Sequence, residues 1–258
     1  MVSGETDNER ERSESGRELD FAPRRVKWDE TVRLIREFAG VKATDRVLDV
    51  ACGEGILAFE VARHCAYLAG VDISESMVAL ASERAIEAGA QNVSFQVGDA
   101  VNLQFADDTF DRVFCRLGIH HFPHPAEAIG EMVRTLKSPG YLIVADIVSS
   151  EDPAWREAHN RIERARDPSH HEMLSPRQVR AILNEAGLSL EAESHWQTRR
   201  RFSDWMRIVN ADRQTTERTR KLLQEAAKKK STDLDIATQG NNIEFTHRWM
   251  ACRALKLN

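Results

Sequence analysis

LDVACGEG, residues 48–55, is an apolar run that breaks into a glycine loop, and the rest of the chain is read outward from it. With Arg46 and Val47 ahead of it, the run reads as a short strand over 46–51. Gly53 and Gly55 permit a sharp bend and close backbone approach, and a helix over 54–65 follows. Taken alone, the stretch also fits an ordinary strand-to-helix turn.

Its surroundings give it a context. YLAGVDI (67–73), NVSFQV (92–97), RVFCRLG (112–118) and YLIVADI (141–147) read as further short strands. Among them lie a helix over 75–88, capped by Ser74 and stopped at Gly89, and an amphipathic helix over 126–136. Upstream, Trp28, Val32, Ile35 and Ala39 keep helical spacing up to Gly40. Downstream come a helix opened by Ser175-Pro176 and closed at Gly187, a strand over 188–196, a polar and largely helical stretch over 202–230, and a strand over 243–255. The alternation predicts an α/β fold with a doubly wound, seven-stranded, mostly parallel sheet and a helical insertion before the last strand. Residues 1–20 are charged and free of aromatics, and are expected to be a disordered leader. Residues 21–258 are expected to form one domain, with 199–242 as the insertion.

The chain has 258 residues and a formal net charge of -5. No apolar run approaches the roughly 20 residues that cross a bilayer. The start has no apolar segment of the secretory kind, so a cytoplasmic protein is expected. Cys52, Cys65, Cys115 and Cys252 form no CxxC pair, which predicts reduced thiols and no structural zinc site. The acidic balance argues against nucleic acid as a partner, despite local basic runs at 199–201 and 228–230.

Ligands of open α/β sheets bind at the carboxyl ends of the strands. Asp72 ends the second strand, where its two oxygens match a vicinal diol; it also suits the start of the next helix. Asp99, in VGDA (97–100), suits an exocyclic amino group or a turn. In FDRVFCRLGIHHF (110–122) the strand ends near Arg116 to Gly118, beside the reactive end of such a ligand.

In combination, over about residues 28–196, these motifs resemble the class I S-adenosylmethionine-dependent methyltransferases, within the methyltransferase type 11 branch typified by quinone C-methyltransferases. The resemblance implies a Rossmann-like methyltransferase fold and S-adenosylmethionine as cofactor, with S-adenosylhomocysteine as product. It places Asp49, Ala51, Gly53 and Gly55 along the cofactor, Asp72 on the ribose with Ile73 beside the adenine, Asp99 and Ala100 on the adenine, and Cys115 and Arg116 by the methionine moiety. It also implies that Trp28 and 199–242 cover the cleft as a lid. Two positions depart from the family pattern. Ala51 stands where many members have glycine, and Ser138-Pro139-Gly140-Tyr141 replaces a Lys-Pro-Gly-Gly turn.

Methyl transfer is an in-line displacement whose main demands are alignment and water exclusion. A base is needed only where the nucleophile must lose a proton. His120 and His121, after the fourth strand, are the candidate bases; each also fits plain packing. Asp146 is a further candidate that equally fits a cap. His170, His171, Trp28 and Trp205 are candidates for the acceptor pocket. His120, His121 and His124 lack the spacing of a metal set, and no metal is expected. The expected partner is a small-molecule methyl acceptor, aromatic, quinone-like or polyketide-like. Two other readings stay open: a cyclase, lyase or non-catalytic partner on the same fold, and a nicotinamide-dependent oxidoreductase, although the loop lacks GxGxxG spacing.

Overall fold

Successive residues of the central strands face opposite sides of the sheet, and both sides are covered. Val47, Leu68, Phe114 and Ile143 pack into one core, and their neighbours Leu48, Ala69, Val113 and Leu142 into another. This is why these strands read as continuous apolar runs without alternation. The computed structural model describes residues 30–240 and 242–257. Its strands are β1 (Arg46–Val50), β2 (Tyr67–Asp72), β3 (Val93–Val97), β4 (Phe110–Arg116), β5 (Leu136–Val148), β6 (Leu188–Arg201), β7 (Ala237–Gln239) and β8 (Asn242–Lys256).

The sheet runs β3-β2-β1-β4-β5-β8-β6, with β7 paired to β8 outside that path. The first five strands are parallel. β8 is antiparallel to both β5 and β6. The expected seven strands therefore make up the path, and β7 is a short eighth. Strand order reverses between β1 and β4, which opens a crevice at their carboxyl ends.

Helices α1 (Glu30–Ala39) and α2 (Ile56–Ala62) cover one face through Val32, Ile35, Leu57 and Val61. α4 (Pro125–Thr135) and α6 (Pro176–Glu185) cover the other through Ile129, Met132, Val179 and Leu183. α3 (Glu75–Glu87) packs along β2 and β3. Ser74 accepts from Met77 N–H at the start of α3, and Ser175 with Gln178 forms a capping box on α6, as their sequences predict.

Several boundaries differ from the sequence reading. β5 starts at Leu136, so Ser138-Pro139-Gly140-Tyr141 is strand and not turn, with a register shift opposite Phe110 and Arg112. α5 (Pro153–Arg166) occupies a stretch for which the sequence predicts no element. Its buried face includes His159, Asn160 and Glu163 beside Ile162 and Ala165, so the apolar periodicity that marks a helix is missing. Arg199 to Arg201 complete β6, and the insertion begins at α7 (Phe202–Ile208) and continues through α8 (Arg213–Lys229) to β7. Phe202, Trp205, Leu223 and Phe245 give the insertion a small core of its own, joined by Ile162 of α5. The leader and Trp28 lie outside the described residues. Among the described residues no helix is long and apolar enough to cross a membrane.

Candidate active site

The loop after β1 turns through three left-handed residues: Ala51 at φ 58°, Gly53 at 53° and Gly55 at 83°. A side chain on Gly55 would stand 2.8 Å from the Phe59 ring and 3.1 Å from Phe95, so only glycine fits. Ala51 adopts a glycine-like conformation with a Cβ, a strain of order 1–3 kcal/mol. That explains in backbone terms why glycine suits this slot. Asp72 closes the loop: Oδ2 accepts from Gly53 N–H at 2.8 Å and Oδ1 from Ser74 N–H at 2.9 Å. Each oxygen retains a lone pair for a hydroxyl donor. Next to it Ile73 is 72% exposed, a large apolar side chain turned to solvent. Asp99 is exposed and accepts from Val101 N–H at 3.1 Å, the turn its sequence permits, and Ala100 is buried beneath.

Asp49 lies deeper, 2% exposed, and its Oδ2 has no hydrogen-bond partner. Burial pushes its carboxyl up to about 7, with Arg116 opposing and Asp72 adding to the rise. Burial also raises the thiols of Cys52 and Cys115, which makes them inert small residues. This edge fits an adenosyl sulfonium ligand. The orphaned Asp49 oxygen suits its ammonium, Asp72 its ribose diol, and the bare face of Ile73 its adenine.

Beyond β4, Leu117 at φ 54° starts a tight turn into the 3-10 segment Ile119–His121. The two adjacent histidines part company there. His120 Nδ1–H donates to Asp146 Oδ1 at 2.7 Å, and Asp146 is itself buried at the end of β5. That contact fixes the tautomer with the lone pair on Nε2. Burial pulls the His120 pKa down, but the Asp146 carboxylate outweighs it and the net shift is upward. His121 instead holds its Nδ1 against the Ser169 carbonyl at 3.0 Å, and burial together with His120 lowers it.

A cavity of about 160 Å³ opens beside this turn, lined by His120, His121, Glu163, Arg166, His170 and Trp205 among others. The Arg166 guanidinium lies 4.5 Å over the Trp205 ring. His170 donates from Nε2 to Asn160 Oδ1 at 2.8 Å, and burial pushes it down to about 3, so it is a neutral wall residue. His171 does not join the pocket. Its side chain is exposed, and its backbone N–H supports the turn by donating to the His120 carbonyl at 2.9 Å. Trp196 stacks on Trp249 at 5.3 Å within the core.

Glu163 and Arg166 escaped the sequence reading because α5 did. Asp152-Pro153 is the signal that marks it: Asp152 accepts from Ala154 and Trp155 N–H, and proline takes the first helical position. The same helix carries His159. Burial alone would raise the Glu163 carboxyl, but His159, His247 and Arg166 hold it well below the carboxylate range.

Comparison with known proteins agrees with this geometry. A family profile described as "Methyltransferase domain" matches residues 42–230. The chain is 34% identical over 178 residues to the uncharacterized methyltransferase YcgJ of Bacillus subtilis (strain 168), covering 69% of this chain and 70% of that protein. The solved structure of YcgJ superposes with a TM-score of 0.82 at 29% identity, over 89% of this chain and 99% of that one. The chain is 33% identical to the 27-O-demethylrifamycin SV methyltransferase of Amycolatopsis mediterranei (strain S699), over 63% of this chain and 61% of that one. It is also 33% identical to the demethylmenaquinone methyltransferase of Listeria monocytogenes serotype 4a (strain HCC23), over 52% of this chain and 57% of that one. The match thus spans under two thirds of the last two proteins.

Proposed function

The chain belongs to the class I S-adenosylmethionine-dependent methyltransferases, and we propose that it methylates a hydroxylated small molecule, aromatic, quinone-like or polyketide-like, with His120 as general base. Bound S-adenosylmethionine supplies an electrophilic methyl group on a sulfonium. The protein's residues do the rest. Asp72 and Asp99 would hold the nucleoside, and the glycine loop with Asp49 the methionine part and its ammonium. Asp146 fixes the His120 ring, and Nε2 takes the acceptor's proton as the nucleophile forms. The observation that carries this reading is the 2.7 Å contact between His120 and Asp146 at the wall of a cavity. Arg166 and Arg200 line the same cavity and would favour a phenolate, and the buried Trp205 backs Arg166 as an apolar part of the wall. The names of the rifamycin and menaquinone relatives, which denote large ring-bearing acceptors, support the substrate class. α7 and α8 would form the lid that excludes water.

The test is incubation of the purified chain with S-adenosylmethionine and a panel of phenols and hydroquinones, read by mass spectrometry. S-adenosylhomocysteine and a methylated acceptor should form in equal amounts. His120→Gln should cut turnover and leave S-adenosylhomocysteine affinity intact. Undiminished turnover in that variant would remove His120 as base.

A further inference from the structure

Behind the wall of the acceptor cavity, α5 and β8 bring three metal-ligand side chains together. His159 and Glu163 stand one turn apart on α5, His247 faces them from β8, and their exposures are 1%, 3% and 1%. Glu163 Oε1 lies 3.7 Å from His159 Nε2 and 3.2 Å from His247 Nε2. One ligand atom from each of the three lies within 4.8 Å of the other two. Two ligands, each at about 2.0–2.2 Å from one ion, stand roughly 3–3.5 Å apart, so the 3.2 Å spacing is that of a shared cation and the others need only a small contraction to reach it. Apart from these approaches to Glu163 Oε1, His159 Nε2 and both ring nitrogens of His247 are buried without a hydrogen bond of good geometry. Buried polar atoms are rarely left so.

We propose that His159, Glu163 and His247 form a binding site for one divalent first-row transition cation of the zinc class. Two imidazoles and one carboxylate favour such an ion over magnesium or calcium, which take oxygen ligands. The surroundings support the set. His159 Nδ1 meets Ser149 Oγ at 3.1 Å and Asp233 Oδ1 at 3.6 Å, which turns Nε2 inward. Arg166 faces the other Glu163 oxygen, Oε2, at 3.5 Å and leaves Oε1 to the ion. The ion would tie α5 to β8, and Asp233, between α8 and β7, sets the insertion against the back of the His159 ligand. Glu163 also lines the acceptor cavity, so the ion would sit at its wall. The sequence expectation of no metal looked to His120, His121, His124 and the cysteines. His159, Glu163 and His247 are residues that only the fold collects. The site does not depend on the methyl-transfer reading, and its test reads the metal itself.

The full chain, stripped with a chelator and dialysed, is titrated calorimetrically with Zn²⁺ and separately with Co²⁺. One equivalent should bind saturably and raise the melting temperature, and Co²⁺ should develop visible absorption. His247→Phe, which keeps the ring packing on Trp205 and Phe245, and Glu163→Gln should each lose that equivalent. Ser149→Ala, a milder change that removes no ligand and only the hydroxyl against His159 Nδ1, should weaken it at least ~10-fold. Exposed His195→Gln should leave it unchanged. No saturable binding to the wild type overturns the proposal, as does an equivalent that survives in the folded ligand variants. Should His247→Phe and Glu163→Gln fail to fold, unchanged binding in Ser149→Ala overturns it instead.

Discussion

At the β1–β3 end of the cleft, Asp72 gives both carboxylate oxygens to backbone N–H groups of two turns close to it in the fold. At the β4–β5 end, Asp146 gives one oxygen to the imidazole of His120. The first carboxylate shapes a loop and remains open to solvent on its free side. The second orients a titratable ring in a nearly buried setting. The β1–β3 end is thus built from backbone geometry that a few consecutive residues dictate. The acceptor end is built from side chains that the turn after β4, β5, α5, β6 and α7 deliver from separate parts of the chain. A site of the first kind binds one ligand in one way, and a site of the second kind can be retuned by single substitutions.

The sharpest way to break this contrast is Asp146→Asn. It should cut turnover by at least ~10² while S-adenosylhomocysteine binds as before, because the base loses its orienting carboxylate. The pH profile supplies the sign. The His120 pKa is raised above 6.5, so the base form, and with it turnover, should grow as pH rises through a value above 6.5. In Asp146→Asn that limb should move to lower pH, since burial is then opposed only by the more weakly acting Glu163 and Asp167. An unmoved limb would show that the dyad does not set the base.

Asp72→Ala should act in the opposite compartment. Calorimetry with S-adenosylhomocysteine should show a loss of about 1–3 kcal/mol in affinity, with the chain still folded. Equal affinity would mean that Asp72 serves the loop alone. Asp49 gives a pH signature to the same end. Its carboxyl takes up a proton near pH 7, so affinity for an ammonium-bearing ligand should fall below pH 7, by up to about tenfold per unit. Asp49→Asn should flatten that dependence. Folding carries the reverse sign. An acid whose folded pKa is raised favours the fold at low pH and loses that contribution as pH rises from 3.8 to about 7. Asp49→Asn should therefore melt higher than wild type at pH 8.

The smallest effect separates two neighbouring loop positions. Ala51→Gly should stabilise by about 0–2 kcal/mol, since relief of the left-handed strain is only partly offset by the freedom glycine gains in the unfolded chain. Gly55→Ala should instead destabilise, because its Cβ meets Phe59 and Phe95 as well as an unfavourable φ of 83°. Thermal melts of the two variants would rank them.

The sequence by itself determined the doubly wound sheet and the β1–β3 end of the cleft. Apolar runs of strand length, bounded by caps and glycines, report burial on both faces, and a loop such as 48–55 folds by local steric rules. Ala51, Asp72 and Asp99 could therefore be put forward as candidate positions from a few residues of chain. Tertiary structure alone decided the acceptor end. Whether His120 or His121 meets a carboxylate depends on Asp146, 26 residues away on another strand. α5 hid its helical period behind buried polar residues, and with it Glu163, Arg166 and the pairing of His159 with His247. Such groups tolerate burial only because distant segments bring them partners, and a linear pattern carries no record of which segments those are.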